Sequence, residues 1–138
     1  MPPLANEGAA EEPPAAGQNI AVLAETLYLV NLLLLPLAAF LLLLWVYRRH
    51  YSHAPPLARC HLLQTLWGSV WAGAMLLLVT LSIILLGGHA TVGTWVVVIL
   101  YFTTVHATLV LFGSLGLARA MAGQHFHFPL IGRQCPGM

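Results

Sequence analysis

From residue 20 onward the chain is built of long apolar runs separated by short polar or proline- and glycine-containing breaks. The clearest run covers residues 62–86, LLQTLWGSVWAGAMLLLVTLSIILL, and contains no charged residue. At ~1.5 Å per residue a helix of this length crosses a ~30 Å hydrocarbon layer. A water-soluble helix needs a polar face, and this one offers only Gln64, Thr65, Ser69, Thr80 and Ser82 among bulky apolar neighbours. Similar runs flank it, at 20–47 and 92–118, and three all-round apolar helices leave nothing polar to wrap them. The pattern predicts an all-α integral membrane protein with three transmembrane helices, at about 23–47, 62–86 and 92–118.

The first run is too long for one untilted crossing, and Pro36 interrupts it within LLLLPLAAF. A proline lacks the N–H and clashes with the preceding turn, so a kink is expected near residues 32–36. Glu25 is expected at the outer interface, because a carboxylate deeper in lipid is costly. Trp45 and Tyr47, followed by Arg48, Arg49 and His50, read as a membrane exit. Pro55 and Pro56 break the chain before the second span, and Gly87 and Gly88 end that span. The third is rich in Val and Thr, poor helix formers in water, but unsatisfied backbone in hydrocarbon outweighs that preference. Residues 1–19, Pro/Ala-rich and acidic, are expected to be a disordered tail, and residues 119–138 a cytoplasmic interfacial tail.

Composition agrees with a membrane class: 59% of residues are hydrophobic, 7% are charged and mean hydropathy is +0.85. Net charge is near neutral, which argues against nucleic acid as a partner and leaves the lipid bilayer and other membrane subunits. Three crossings would place all five arginines (48, 49, 59, 119, 133) on one side and all four glutamates (7, 11, 12, 25) on the other. The positive-inside rule then sets the N-terminus outside and the C-terminus in the cytoplasm.

Close packing in lipid depends on small residues. Gly68 with Ala72, and Ser69 with Gly73, form two small-xxx-small pairs in the second span, while Gly113 and Gly116 lie near the end of the third. A tight crossing of these two spans is expected in their cytoplasmic halves.

The one ionisable residue well inside a span is His106. A neutral histidine bonded to a hydroxyl or carbonyl is the ordinary explanation. The sharper one is a haem ligand, although a helix bundle usually supplies two facing histidines and no other span offers a second. His50, His53, Cys60, His61, His125, His127 and Cys135 gather on the arginine side, where imidazole and thiolate suit zinc or copper. Their spacings match no closed zinc site. No phosphate-binding glycine loop, intramembrane carboxylate pair or Ser-His-Asp arrangement is present, so no catalytic residue is assigned and neither haem nor metal is expected as a resident cofactor.

Three stretches together resemble a bacterial family of small three-helix membrane proteins of unassigned function, distantly similar to a multi-spanning component of the chloroplast inner-envelope protein translocon. They are LLLLPLAAFLLLLWVYRR, ARCHLLQT and AMAGQHFHFPLIGR. Gln64, Gly123, Phe126, Phe128, Pro129 and Leu130 fit the family pattern; Leu62 and His127 depart from it. The resemblance implies a multi-pass protein of the bacterial inner membrane. In the tail, Phe126 and Phe128 at a spacing of two point the same way in an extended segment, suited to packing with Pro129 against the mouth of the bundle. The expected function is a non-enzymatic accessory or scaffold subunit of a larger inner-membrane complex. The alternatives are a redox subunit with His106 on haem and a small transport or translocation component.

Overall fold

The computed structural model describes residues 13–135; residues 1–12, which make up most of the stretch expected to be disordered, lie outside it. The regular structure of the described residues is all helical, without strands, and the tail after residue 121 is irregular. Helix α1 is Gln18–Leu33, α2 is Ala38–His50, and α3 is Pro56–Leu85. A 3-10 turn at Gly88–Ala90 leads into α4, Val92–Met121, whose central segment Tyr101–His106 is π-helical.

Two helices, α3 and α4, are long and apolar enough to cross a membrane, rather than the three expected. The difference lies in the first run. Instead of kinking at Pro36, the chain reverses there, and α1 and α2 pack side by side as an antiparallel hairpin. Ala24 and Leu27 of α1 meet Leu43 and Val46 of α2, and Leu62 of α3 completes the cluster. At ~1.5 Å per residue the arms are about 24 Å and about 20 Å long, each too short to span hydrocarbon alone.

The reversal has a definite backbone solution. Leu37 sits at φ 71°, ψ −53°, and the Ala38 amide donates to the Pro36 carbonyl at 2.9 Å, a γ-turn of the rare positive-φ kind. The Leu37 amide donates to Asn31 Oδ1 at 3.3 Å. Leu34 and Leu35 both donate to Val30, and Ala39 donates to Leu35. Pro36 has no donor, so every amide from Leu34 to Ala39 is satisfied without water. A second Pro-Leu step repeats the device in the tail: Leu130 takes φ 67° while Ile131 donates to Pro129.

Helix α3 begins with Pro56 in its first turn, where a missing N–H costs nothing. It ends at Gly87 and Gly88, both at positive φ, which α-helical residues do not adopt. Helix α1 is wedged between α3 and α4, and the glycines make room for it. A Cβ on Gly113 would approach the Tyr28 ring to 2.6 Å, one on Gly116 the Glu25 carboxylate to 2.5 Å, and one on Gly68 the Phe128 ring to 2.7 Å. Instead of drawing α3 directly onto α4, these small residues admit a third helix between them.

The hairpin tip reaches only the middle of α3 and α4. Beyond it the two long helices continue as a pair, with Leu77, Leu85 and Val92 all more than 70% exposed. Gln18 at the start of α1 donates to the Met121 carbonyl at the end of α4, at 2.6 Å. Both ends of the described chain therefore lie at one end of the bundle, together with all five arginines. The expectation of termini on opposite sides depended on a third crossing.

Candidate functional site

The polar side chains are concentrated at the arginine-bearing end, where the tail that follows α4 folds back across the bundle. On α3, Cys60, His61, Gln64 and Gly68 fall within one face, because their spacings repeat the helical period. Each meets the tail. His61 Nε2 bonds the Gln124 carbonyl at 3.0 Å, Gln64 Nε2 donates to the Arg133 carbonyl, and Cys60 is joined to Cys135 by a disulfide that closes a loop across 75 residues. Phe128 fills the space over Gly68, 2% exposed, its ring 5.3 Å from Tyr28, 5.7 Å from Phe126 and 6.1 Å from Phe112. Pro129 follows it and initiates the turn at Leu130. The Arg133 guanidinium lies over the Trp67 ring at 4.7 Å.

The second nitrogen of His61 links this tail to the hairpin. His61 Nδ1 lies 2.6 Å from Glu25 Oε1, and both side chains are fully buried. A carbonyl only accepts, so the Nε2 facing Gln124 carries a proton. Nδ1 then either donates to a carboxylate or accepts from a carboxylic acid. In both forms the pair carries no net charge, which is what makes its burial tolerable. Glu25 is thus buried beside His61 at the arginine end, in place of its expected position at the outer interface. Its other oxygen, Oε2, has no hydrogen-bond partner and rests against Gly116. Gln64 Oε1 is likewise unpartnered, against Gly132. Tyr28, one turn beyond Glu25, donates from its hydroxyl to the Leu109 carbonyl at 3.1 Å.

Of the histidines and cysteines grouped by sequence, the fold brings together Cys60, Cys135 and His127, with potential ligand atoms within 4.8 Å of one another. The Cys135 amide donates to His127 Nε2 at 3.0 Å. With the sulfurs bonded to each other, this set presents a disulfide beside an imidazole; as thiolates the same atoms would suit a soft metal ion. His50 bonds back to the Val46 carbonyl at 3.1 Å, and His61 is committed to Glu25.

His106 stands elsewhere, at the end of the π-helical segment. It lines a cavity of about 540 Å³ with Asn31, Ser69, Ala72, Gly73 and Tyr101 among its neighbours. Its ring lies 5.2 Å from Phe102 and 6.2 Å from Tyr101, and no second histidine lines the cavity opposite it. A Cβ on Gly73 would meet nothing within 4 Å.

Sequence reasoning missed the Glu25–His61 pair. The available signal was chemical: one carboxylate inside an otherwise apolar run and one imidazole at the start of another. Compared with known proteins, the chain matches no family model, no curated protein and no solved structure.

Proposed function

We propose that this is an integral membrane protein in which α3 and α4 span the bilayer and the α1–α2 hairpin enters it from one side and leaves on the same side. The observation that carries this reading is that α3 and α4 are apolar yet open: 22% and 11% of the residues in their most apolar stretches are buried. A core helix of a soluble domain would be mostly covered. The satisfied amides of the hairpin tip support the reading, since lipid provides no water to complete them. With the arginines gathered at one end, the positive-inside rule sets that end, and with it both termini, in the cytoplasm.

Within that membrane the protein serves as an accessory or scaffold subunit of a larger assembly, and the motif resemblance supports a bacterial inner membrane as its location. Its strongest polar groups are spent on holding tail, hairpin and long helices together: His61 on Glu25 and Gln124, Gln64 on Arg133, Cys60 on Cys135. Meanwhile broad leucine and valine faces of α3 and α4 are left for lipid or neighbouring subunits. The test is extraction in mild detergent followed by sizing and identification of co-eluting proteins, with reporter fusions at both ends. The expected result is a larger complex containing this chain at fixed stoichiometry, with both reporters cytoplasmic. A chain that stays monodisperse without detergent overturns the membrane reading; one that elutes alone in every detergent overturns the subunit reading.

A further inference from the structure

The cavity beneath the hairpin tip has the features of a binding site for a small lipophilic molecule. It exists because α1 and α2 stop halfway along α3 and α4, leaving the space between the long helices unfilled. At about 540 Å³ it lies within the usual range for small-molecule sites. Its rim includes Leu37, Leu77 and Phe102, all more than half exposed, so its mouth opens sideways along the apolar flank of the bundle. An occupant therefore enters from the lipid phase.

Three polar observations go beyond what lipid chains would explain. Eight serine and threonine hydroxyls in the helices, including Thr65 one turn before Ser69, donate to the carbonyl four residues earlier. Ser69, 4% exposed and part of the cavity wall, does not: its hydroxyl is closed off from the surface and has no hydrogen-bond partner. An unmet donor behind a cavity wall is a group that an acceptor bound there would satisfy. On the α1 wall, Asn31 uses its Oδ1 on the Leu37 amide, which leaves its NH₂ group as a donor. On the α4 wall, the lining is the π-helical turn from Tyr101 to His106, a departure from regular helix often found at functional sites, and it adds an imidazole and two aromatic rings.

Donors on three walls, aromatic rings beside them and a mouth open to lipid favour a flat acceptor molecule. We propose that this cavity binds a lipid-soluble carbonyl compound of the quinone class, one carbonyl oxygen accepting from the Ser69 hydroxyl after that side chain turns toward the cavity, and the ring lying against Tyr101 and Phe102. The inference rests on membrane residence of the chain, but its test is separate from that of the assembly. A ligand can bind a chain that elutes alone, and a subunit can assemble with this cavity empty.

The experiment uses the full chain in mild detergent, with an azido-substituted decyl-benzoquinone as photolabel and decyl-benzoquinone as competitor. Labelled peptides are expected to map to residues 31–40, 69–77 and 101–106. Decyl-benzoquinone should displace the label, whereas an excess of dioleoylphosphatidylcholine, whose ester carbonyls offer the same acceptor on a flexible chain, should not. Gly73→Leu places a side chain where nothing now stands, so it should preserve the melting midpoint and reduce labelling at least tenfold. Ser69→Ala should weaken the competitor about three- to tenfold. Undiminished labelling of Gly73→Leu, or equal displacement by the phospholipid, overturns the proposal, and unchanged affinity in Ser69→Ala overturns the assigned hydrogen bond.

Discussion

The two halves of this molecule solve the same problem, packing apolar helices, in opposite ways. At the arginine end four layers of chain meet: α1, α3, α4 and the returning tail. There, glycine faces carboxylate or aromatic ring, and His61 uses both nitrogens. At the far end only α3 and α4 remain, with leucines exposed along most of their length and hydroxyls turned back onto their own helix. The far half of α3, residues 71–85, is the more apolar of the two, since Arg59, His61 and Gln64 all lie in the first half, so apolar surface alone does not hold the helices together. What differs is the supply of small residues and paired polar groups at 60–69 and 113–116. For helices in lipid such groups, rather than oiliness, decide where close contact is made.

The sharpest way to break the contrast is to unpair the centre of the tight half. Glu25→Leu leaves Nδ1 of His61 buried without a partner, and removal of one member of a buried pair costs about 3–5 kcal/mol. Titration of the detergent-solubilised protein with SDS should show that loss. Combining it with His61→Leu should recover most of it, since an apolar pair of similar volume has no stranded group. A double variant no better than the single one would show that the stabilisation comes from His61 holding Gln124 instead of from the pair.

Next in size is the plug. Phe128→Ala removes a ring lodged among Tyr28, Phe112 and Phe126 above Gly68, a loss of about 3 kcal/mol for a buried phenylalanine. The readout is local: trypsin should cut after Arg133 faster than in the parent, while the α1–α2 hairpin stays protected. The Cys60–Cys135 bond must be reduced before the assay, because it would retain a cleaved tail.

Much of this arrangement could be read in the amino-acid order. The two long helices, the break at Pro36 and the gathering of arginines follow from hydropathy, proline chemistry and charge. The hairpin does not. Residues 20–47 have the same apolar length and the same helical period whether the chain passes through or turns back. The reversal depends on Asn31 capping Leu37, a local bond that hydropathy does not register, and on Ala24 and Leu27 fitting against Leu43 and Val46, which are contacts between residues distant in sequence. That single miscount moved Glu25 to the wrong end and hid its pairing with His61. The glycines illustrate a subtler gap: small residues mark a close approach without saying which neighbour approaches. Gly68, Gly113 and Gly116 receive side chains from α1 and the tail, whereas Gly73, four residues after Ser69, receives nothing.

That last difference supplies the smallest and most direct measurement, the same substitution made at two glycines. At Gly116 an added methyl would come within 2.5 Å of the Glu25 carboxylate, which is anchored by His61 and unable to retreat. Overpacking of this kind costs about 1–3 kcal/mol, so Gly116→Ala should be destabilised by that amount. At Gly73 the methyl enters open space, and the only remaining effect is helix propensity, where alanine exceeds glycine by about 0.5–1 kcal/mol. Gly73→Ala should therefore be slightly more stable than the parent in the same SDS titration. Equal destabilisation at both positions would mean that α3 is closely approached along its whole length, and that the open half of the molecule is covered by something that remains bound through purification.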